Sequence, residues 1–478
     1  MKTIAFSLLL TLLVTTASSH DDALVDVAIV GAGLSGLAAA KALQDAGKTF
    51  TILEARERVG GRVQNQDLSN GGVTELGAAF VGPTQDYVLD LAASLGLKVF
   101  SEYNEGNNVA FLDQQNLTYS TESPVPPIDD VSIQQLLSAI TFIDTAASAI
   151  DVNHPWSHPN ASAWDSINFA TWMEQQNLTT TLCALFDISI PAIFSLESTE
   201  LSLFYALSYV AAAGNATLPG SFLRLISVAG GAQESRIVGG TGLLATGLAD
   251  QIGHDKIQLN SPVRSIIQHP SGIYSVCGTG STVNAKQVII AMSPPLASRI
   301  FYDPPLPAMR DQLTQRMFMG SLGKAIAIYS TPFWREANVS GQAISDSGTV
   351  RTTYDVSPED GSYGAILGFI EADRARAVEE LTDAEIAALV TEDYVKYFGP
   401  QAANVSEWAI KRWDHEVYSR GGPVALAGIG TLSRFGPALR EKSGGIHWAG
   451  TEASEYWIGF MDGALRAGER AAKEIISG

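Results

Sequence analysis

A short apolar run, Val25–Val30, ends directly in Gly31-Ala32-Gly33-Leu34-Ser35-Gly36, and residues 37–46 are then dominated by Ala and Leu before Gly47. An apolar run interrupted only by Asp26 and ended by a glycine turn predicts a short buried strand, and the Ala/Leu stretch predicts a helix. Residues 50–53 are apolar again, so the chain is expected to open as strand, helix, strand. Residues 133–150 and 201–213 predict helices within a region, 120–220, that is rich in Ser, Thr, Ala, Asn and Pro. Strand-like, Gly-rich sequence returns over 236–293, and a second excursion runs over 294–404. Residues 446–449 predict a last short strand. In residues 460–476, Met461, Ala464, Leu465, Ala471, Ala472 and Ile475 recur at helical spacing. A chain of 478 residues whose character changes near residue 100 and returns near 236 is expected to fold as two interleaved domains.

The first apolar stretch stands apart from this pattern. Lys2 precedes the apolar residues 4–14, and the small residues Thr15, Thr16, Ala17, Ser18 and Ser19 follow. The run is too short to span a bilayer and predicts a cleaved signal peptide over residues 1–19. Six glycosylation sequons, at Asn116, Asn160, Asn177, Asn215, Asn338 and Asn404, agree with export and predict a secreted glycoprotein. The only cysteines, Cys183 and Cys277, sit in no redox or metal pattern, and their pairing stays open. A net charge of −20 argues against a nucleic-acid partner. No later segment has the length and hydropathy of a membrane anchor, and no His/Cys/Asp set has ligand spacing, so neither an anchor nor a metal is expected.

The glycine motif carries the first chemistry. It follows a strand, opens a helix and is followed by an acid, Glu54, at the end of the second strand. Gly31 permits the tight turn, Gly33 lets the backbone approach a pyrophosphate, and Gly36 allows the helix to pack on the strand. The positive helix end then faces the phosphates and Glu54 the ribose hydroxyls. Glu54-Ala55-Arg56-Glu57-Arg58-Val59-Gly60-Gly61-Arg62 continues without a break. Arg56 and Arg62 offer two cations to a diphosphate, and the glycine pair lets the chain fold over it. A nicotinamide fold does not need this second loop, so the expected dinucleotide is a flavin one.

With these motifs the chain resembles the flavin-containing amine oxidase superfamily, and within it the monoamine oxidase branch. The resemblance runs from about residue 25 to 478. It includes residues 75–85 (ELGAAFVGPTQ), 230–240 (GGAQESRIVGG), 448–452 (WAGTE) and 457–463 (WIGFMDG). It implies an α/β fold, in the mixed two-domain sense. A Rossmann-like FAD-binding domain (22–100, 236–293 and 405–478) would be interleaved with a substrate-binding domain (101–235 and 294–404). It implies FAD contacts from Gly31, Gly33, Leu34, Ser35 and Gly36, and from Glu54, Ala55, Arg56, Gly61 and Arg62. Further contacts are implied for Gly77, Ala78, Ala79, Phe80, Val263, Trp413, Gly450, Glu452, Phe460 and Met461. Lys324 matches the lysine that holds a water beside the flavin, Trp413 a tryptophan near the ring, and Phe460 one wall of an aromatic amine cage. Gln233, Ile226 and Val424 match positions lining the substrate cavity.

The departures are informative. Covalent members attach FAD through a cysteine, and residues 418–424 (YSRGGPV) contain none, so FAD is expected to bind non-covalently. The second wall of the cage falls on Val424 or Pro423, which leaves the cage half aromatic. The implied reaction converts an amine to an imine, then to an aldehyde or ketone, while O2 becomes H2O2. The implied partners are a small-molecule amine and O2, and a homodimer stays open. An oxidase or oxidative cyclase of a specialised nitrogenous metabolite would carry the same motifs. An L-amino-acid oxidase would usually place an arginine near residues 77–80, where there is none. A non-catalytic flavin-binding glycoprotein would have no need of Lys324.

Overall fold

The computed structural model describes residues 24–123 and 125–478, so the expected signal peptide at 1–19 lies outside the described residues. Val25–Val30 forms the centre of an eight-stranded sheet, paired in parallel with Phe50–Leu53 on one side and Thr282–Ile290 on the other. Its last four residues are buried, as a parallel strand covered on both faces requires. One face carries the helix Leu34–Asp45, which packs against the C-terminal helix Met461–Ile476 and against Gly242–Ile252. Leu37 and Leu43 are fully buried there, each contributing about 1.5–3 kcal/mol by leaving water.

The helix Gly242–Ile252 departs from the strand-like expectation for 236–293. Its glycines, Gly242 and Gly247, weaken the local helix propensity, and burial of Leu244, Leu248 and Ile252 decides the matter. The expected helix at 133–150 begins earlier, at Asp130–Ser148, because the Asp129 side chain caps it by accepting from Ser132 N at 3.0 Å. Phe460 is the N-cap of the last helix rather than its first residue.

A second, seven-stranded sheet runs in the order Glu407–Arg412, Leu322–Tyr329, Gly364–Glu371, Thr352–Asp355, Val339–Ser345, Asn107–Leu112, Gln115–Ser120. The helix Asp383–Phe398 covers one face of it, through Ile386, Val390 and Tyr394 on Ala325, Ala327, Ile366 and Ile370. Helices Asp130–Ser148, Thr180–Phe194 and Leu203–Ala212 form an adjoining helical core around Phe169, Phe186 and Phe204. Two strands cross the expected domain limits. Phe301–Asp303 is an edge strand of the first sheet, whereas Glu407–Arg412 pairs with Leu322–Tyr329 in the second. Hydrogen bonding to a neighbouring edge decides membership, and local composition does not record it. Both cysteines are free thiols.

Candidate active site

Between the two sheets lies a cavity of about 350 Å³ that reaches from the glycine turn to the second sheet. At its first end, Gly31 has φ +102°, and a Cβ there would sit 2.8 Å from the Ala291 carbonyl oxygen. A Cβ on Gly36 would sit 1.9 Å from the Gly31 oxygen. Both glycines are therefore demanded by backbone approach. The helix Leu34–Asp45 has no side-chain cap, and Gly33, Leu34 and Ser35 at its start line the cavity. Its first N–H groups are thus free to meet an anion.

Glu54 is buried and organises this end. Its two oxygens accept from Ala32 N at 2.7 Å and from Arg56 N at 2.8 Å, which leaves lone pairs for hydroxyl donors. Arg56 hydrogen-bonds Glu416 at 3.3 Å and the Ser419 hydroxyl at 2.9 Å. Arg62 pairs with Glu452 at 2.8 Å and donates to the Pro423 carbonyl at 2.8 Å. Both arginines border the cavity with their guanidinium groups already partnered by carboxylates. Glu452 does not line it; it is buried behind Gly450 and Thr451. Gly36 is likewise packing rather than lining. Ala55, Gly61, Gly77, Ala78, Ala79, Phe80, Val263, Gly450 and Met461 all line the cavity. An uncapped helix end, backbone-only glycine surfaces and a buried carboxylate with spare lone pairs fit a dinucleotide's pyrophosphate and ribose. FAD is the dinucleotide this donor set would hold.

At the other end, Lys324 stands third in the strand Leu322–Tyr329, between Phe369 and Lys411 on the flanking strands. It is only 4% exposed. Its ammonium donates to the Gly77 carbonyl and, at 3.3 Å, to that of Glu75. The Phe369 ring centroid lies 5.4 Å away. Burial lowers the Lys324 pKa to about 8, with the Glu75 charge opposing the fall. Trp413 donates to the intervening carbonyl, Leu76, at 2.9 Å. Three consecutive carbonyls, 75 to 77, are thereby pinned by two side chains from the second sheet and the turn that follows it.

Phe460 lines the cavity, its ring 4.8 Å from that of Trp457 and 6.3 Å from that of Tyr209. Gln233 lines it too, donating to the Leu225 carbonyl at 3.1 Å with its own oxygen unpartnered. Ile226 and Val424 do not. The neighbouring Leu225 and Pro423 take those places, while Ile226 packs into the helical core and Val424 is wholly buried in it. Each is a one-residue displacement, and in a short helix or an irregular loop one residue reverses which side chain faces inward. Tyr209, Phe369 and Tyr418 also line the cavity and were not expected. Tyr209 lies in Leu203–Ala212, where every residue is buried, so no periodicity in the sequence marks the face that meets the cavity.

A Rossmann-like domain interleaved with a substrate domain, and a cavity between them shaped for a flavin dinucleotide, define an FAD-dependent oxidoreductase. The chain belongs to the flavin-containing amine oxidase family: the family model described as flavin containing amine oxidoreductase matches residues 34–476. A probable flavin-containing monoamine oxidase A of Dictyostelium discoideum is 36% identical over 453 residues, 95% of this chain and 97% of that protein. The flavin-containing amine oxidase B of Sus scrofa is 34% identical over 458 residues, 94% of this chain and 86% of that protein. Among solved structures, putrescine oxidase bound to putrescine superposes with a TM-score of 0.90 at 32% identity, covering 95% of this chain and all (100%) of that one. Cyclohexylamine oxidase from Brevibacterium oxydans IH-35A gives 0.89 at 32% identity, covering 95% and 99%. The protein is a flavin-containing amine oxidase that binds FAD and oxidises small-molecule amines with O2.

Proposed function

We propose that the amine oxidised is carried on an apolar or aromatic body and has no carboxylate beside the reacting carbon. The observation behind this reading is the wall of the cavity's second end. Ile193, Tyr209, Leu225, Phe369 and Phe460 line it with Gln233, and the lining arginine whose charge reaches Tyr209, Arg62, is held by Glu452. Arg56 and Arg62 are already partnered by Glu416 and Glu452. The one other cation at this end among the described residues, Lys324, is already turned to the Glu75 and Gly77 carbonyls, so a carboxylate buried here would find no free arginine fork and its desolvation would go largely uncompensated.

FAD, when bound, supplies the two-electron oxidation of the amine carbon and hands the electrons to O2. The chain's own residues prepare the amine. Phe460 and Tyr209 exclude water, and desolvation favours the neutral amine over ammonium. The unpartnered Gln233 oxygen accepts an N–H and orients the nitrogen. Lys324 holds a buried positive charge at the same end. Peroxide assays are expected to give higher kcat/KM for benzylamine-like and aliphatic amines than for L-phenylalanine or L-leucine. A reversed order would overturn the substrate reading.

FAD is held without a covalent bond in this reading. Neither cysteine and no histidine is among the residues lining the cavity, and Pro423 stands where the attachment cysteine of covalent members would fall. Acid precipitation should leave the yellow colour in the supernatant. Colour in the pellet, with a flavin-bearing peptide after digestion, would contradict it.

The protein is also exported and glycosylated in this reading. Asn116, Asn160, Asn177, Asn338 and Asn404 are exposed, and only Asn215 is half-buried. Glycosidase treatment of native protein is expected to lower its mass, and its N-terminus should lie after residue 19. Cytosolic protein that keeps Met1 would count against export.

A further inference from the structure

A buried ion pair stands behind Lys324, and the chemistry above does not use it. Arg236, in the strand Ser235–Ile237, donates through Nη2 to a Glu75 carboxylate oxygen at 2.9 Å and through Nη1 to the Ser357 carbonyl at 2.8 Å. Both side chains are nearly closed to water, at 4% and 2% exposure. The second Glu75 oxygen has no hydrogen-bond partner among the described residues, so its charge is little shielded. Taking two charges out of water is costly, and an apolar pair of similar volume often folds as well or better.

Glu75 ends the strand Val73–Glu75 and is the first of the three residues whose carbonyls Lys324 and Trp413 hold. Its carbonyl accepts from the Lys324 ammonium at 3.3 Å, while its carboxylate is fixed by Arg236. One residue thus meets Lys324 with its backbone and a second buried cation with its side chain. Neither Glu75 nor Arg236 lines the cavity, so both reach the reaction only through Lys324.

Charged groups face Lys324 from each element packed on it. On the strand Glu407–Arg412, Lys411 is its cross-strand partner, and that ammonium is taken by Glu416. On Gly364–Glu371 the partner is Phe369, with Glu371 on the same face, and burial pushes the Glu371 carboxyl up to about 8. Behind Arg236 lie Glu102, 3.9 Å from its Nε, and Asp355, which pairs with Arg335 at 2.7 Å. Burial holds the Glu102 carboxyl well above the usual carboxylate range, so it adds little charge. Glu75 and Arg236 then act on Lys324 in opposite senses: the carboxylate favours its ammonium and the guanidinium opposes it.

We propose that Arg236 and Glu75 are positioning residues for the oxygen reaction: the pair locks the 75–77 carbonyls against the Lys324 ammonium and sets the field in which that ammonium keeps its proton. This goes beyond the substrate reading and rests on Lys324 serving the oxygen step. Arg236 keeps the Glu75 carboxylate ionised and in place, and that carboxylate offsets the burial that drives Lys324 toward the free amine.

The test follows the oxygen rate constant of the FAD-loaded, anaerobically reduced enzyme against pH in stopped flow. Glu75→Gln keeps the size of the side chain and an oxygen for Arg236 but removes the charge. The pH at which the rate constant falls is expected to move down by about one unit from the wild-type value of about 8. Adding Arg236→Met removes the opposing charge and should bring the step part of the way back. The double variant leaves neither charge of the pair buried alone, so it should fold and hold FAD even where Glu75→Gln by itself does not. Its step should then still lie below the wild-type pH, because the carboxylate is the stronger of the two influences. A step that stays at the wild-type pH, or moves up, in the variants that fold would show the pair to be a structural brace and overturn the proposal, leaving Lys324 in the oxygen reaction. A wild-type rate constant with an intact pH step in Lys324→Met would instead remove the reading of Lys324, and the proposal with it.

Discussion

Lys324→Met is expected to keep its FAD and to lose about 100-fold or more in the rate at which oxygen restores the oxidised yellow colour. Lys324 is buried against the Gly77 and Glu75 carbonyls and the Phe369 ring, with little water to screen it. A fixed positive charge in such a place stabilises negative charge that develops on oxygen, and it needs no reorganisation to do so. Methionine keeps the length and apolar stem, so packing should survive.

The pH dependence gives an independent check. With a pKa of about 8, Lys324 is charged below that value and neutral above it. The wild-type oxygen rate constant should therefore fall as pH rises through about 8, and that step should be missing in Lys324→Met. Stopped-flow mixing of anaerobically reduced enzyme with oxygen measures both. An unchanged rate constant would remove Lys324 from the oxygen reaction and return it to pinning the 75–77 carbonyls.

The second large effect is expected at Gly36. Gly36→Ala should yield a colourless protein with a lowered Tm. The added Cβ would lie 1.9 Å from the Gly31 oxygen and 3.3 Å from the Ala291 side chain. Gly31 cannot retreat freely, since its N–H donates to the Leu53 carbonyl at 2.8 Å. Overpacking typically costs about 1–3 kcal/mol, and a clash with the backbone of the tight turn that ends the central strand belongs at or above the top of that range. Gly33→Ala provides the contrast. Gly33 has φ −73°, and a Cβ there meets nothing nearer than 4.0 Å. It should fold normally and weaken FAD binding alone, because the new methyl group lies in the cavity lining. Flavin absorbance against protein absorbance, with thermal melts of both variants, separates the two. A yellow Gly36→Ala protein with wild-type Tm would show that the helix shifts at no cost.

These two sites mark the division between what could be read early and what could not. The Gly31–Gly36 turn, its helix and Glu54 were legible because their chemistry is local: strand, turn and acid follow one another within thirty residues. The strand Val25–Val30 was legible because burial on both faces of its last four residues leaves them an unbroken apolar run, Val27–Val30. Lys324 could be matched to a family position, but a lysine near the start of a strand gives no local sign of being buried. Its partners, the Glu75 and Gly77 carbonyls, lie about 250 residues earlier in the chain. The Arg62–Glu452 pair likewise joins residues 390 apart.

Where periodicity fails, tertiary packing alone decided the outcome. Leu203–Ala212 is buried on every side, so nothing in its pattern singles out Tyr209 as the residue at the cavity. Leu225 rather than Ile226, and Pro423 rather than Val424, face inward because the path of one short helix and one loop is set by what they pack against. Glu371 is an acid closing an apolar strand, ordinary at a strand end that meets water. Only the pairing of Gly364–Glu371 with Leu322–Tyr329 buries it, on the sheet face that carries Lys324. Local steric and hydrophobic rules act within a few residues and are written in the sequence. Burial, charge pairing and cavity shape come from elements hundreds of residues apart, and they exist only once the two sheets have closed on each other.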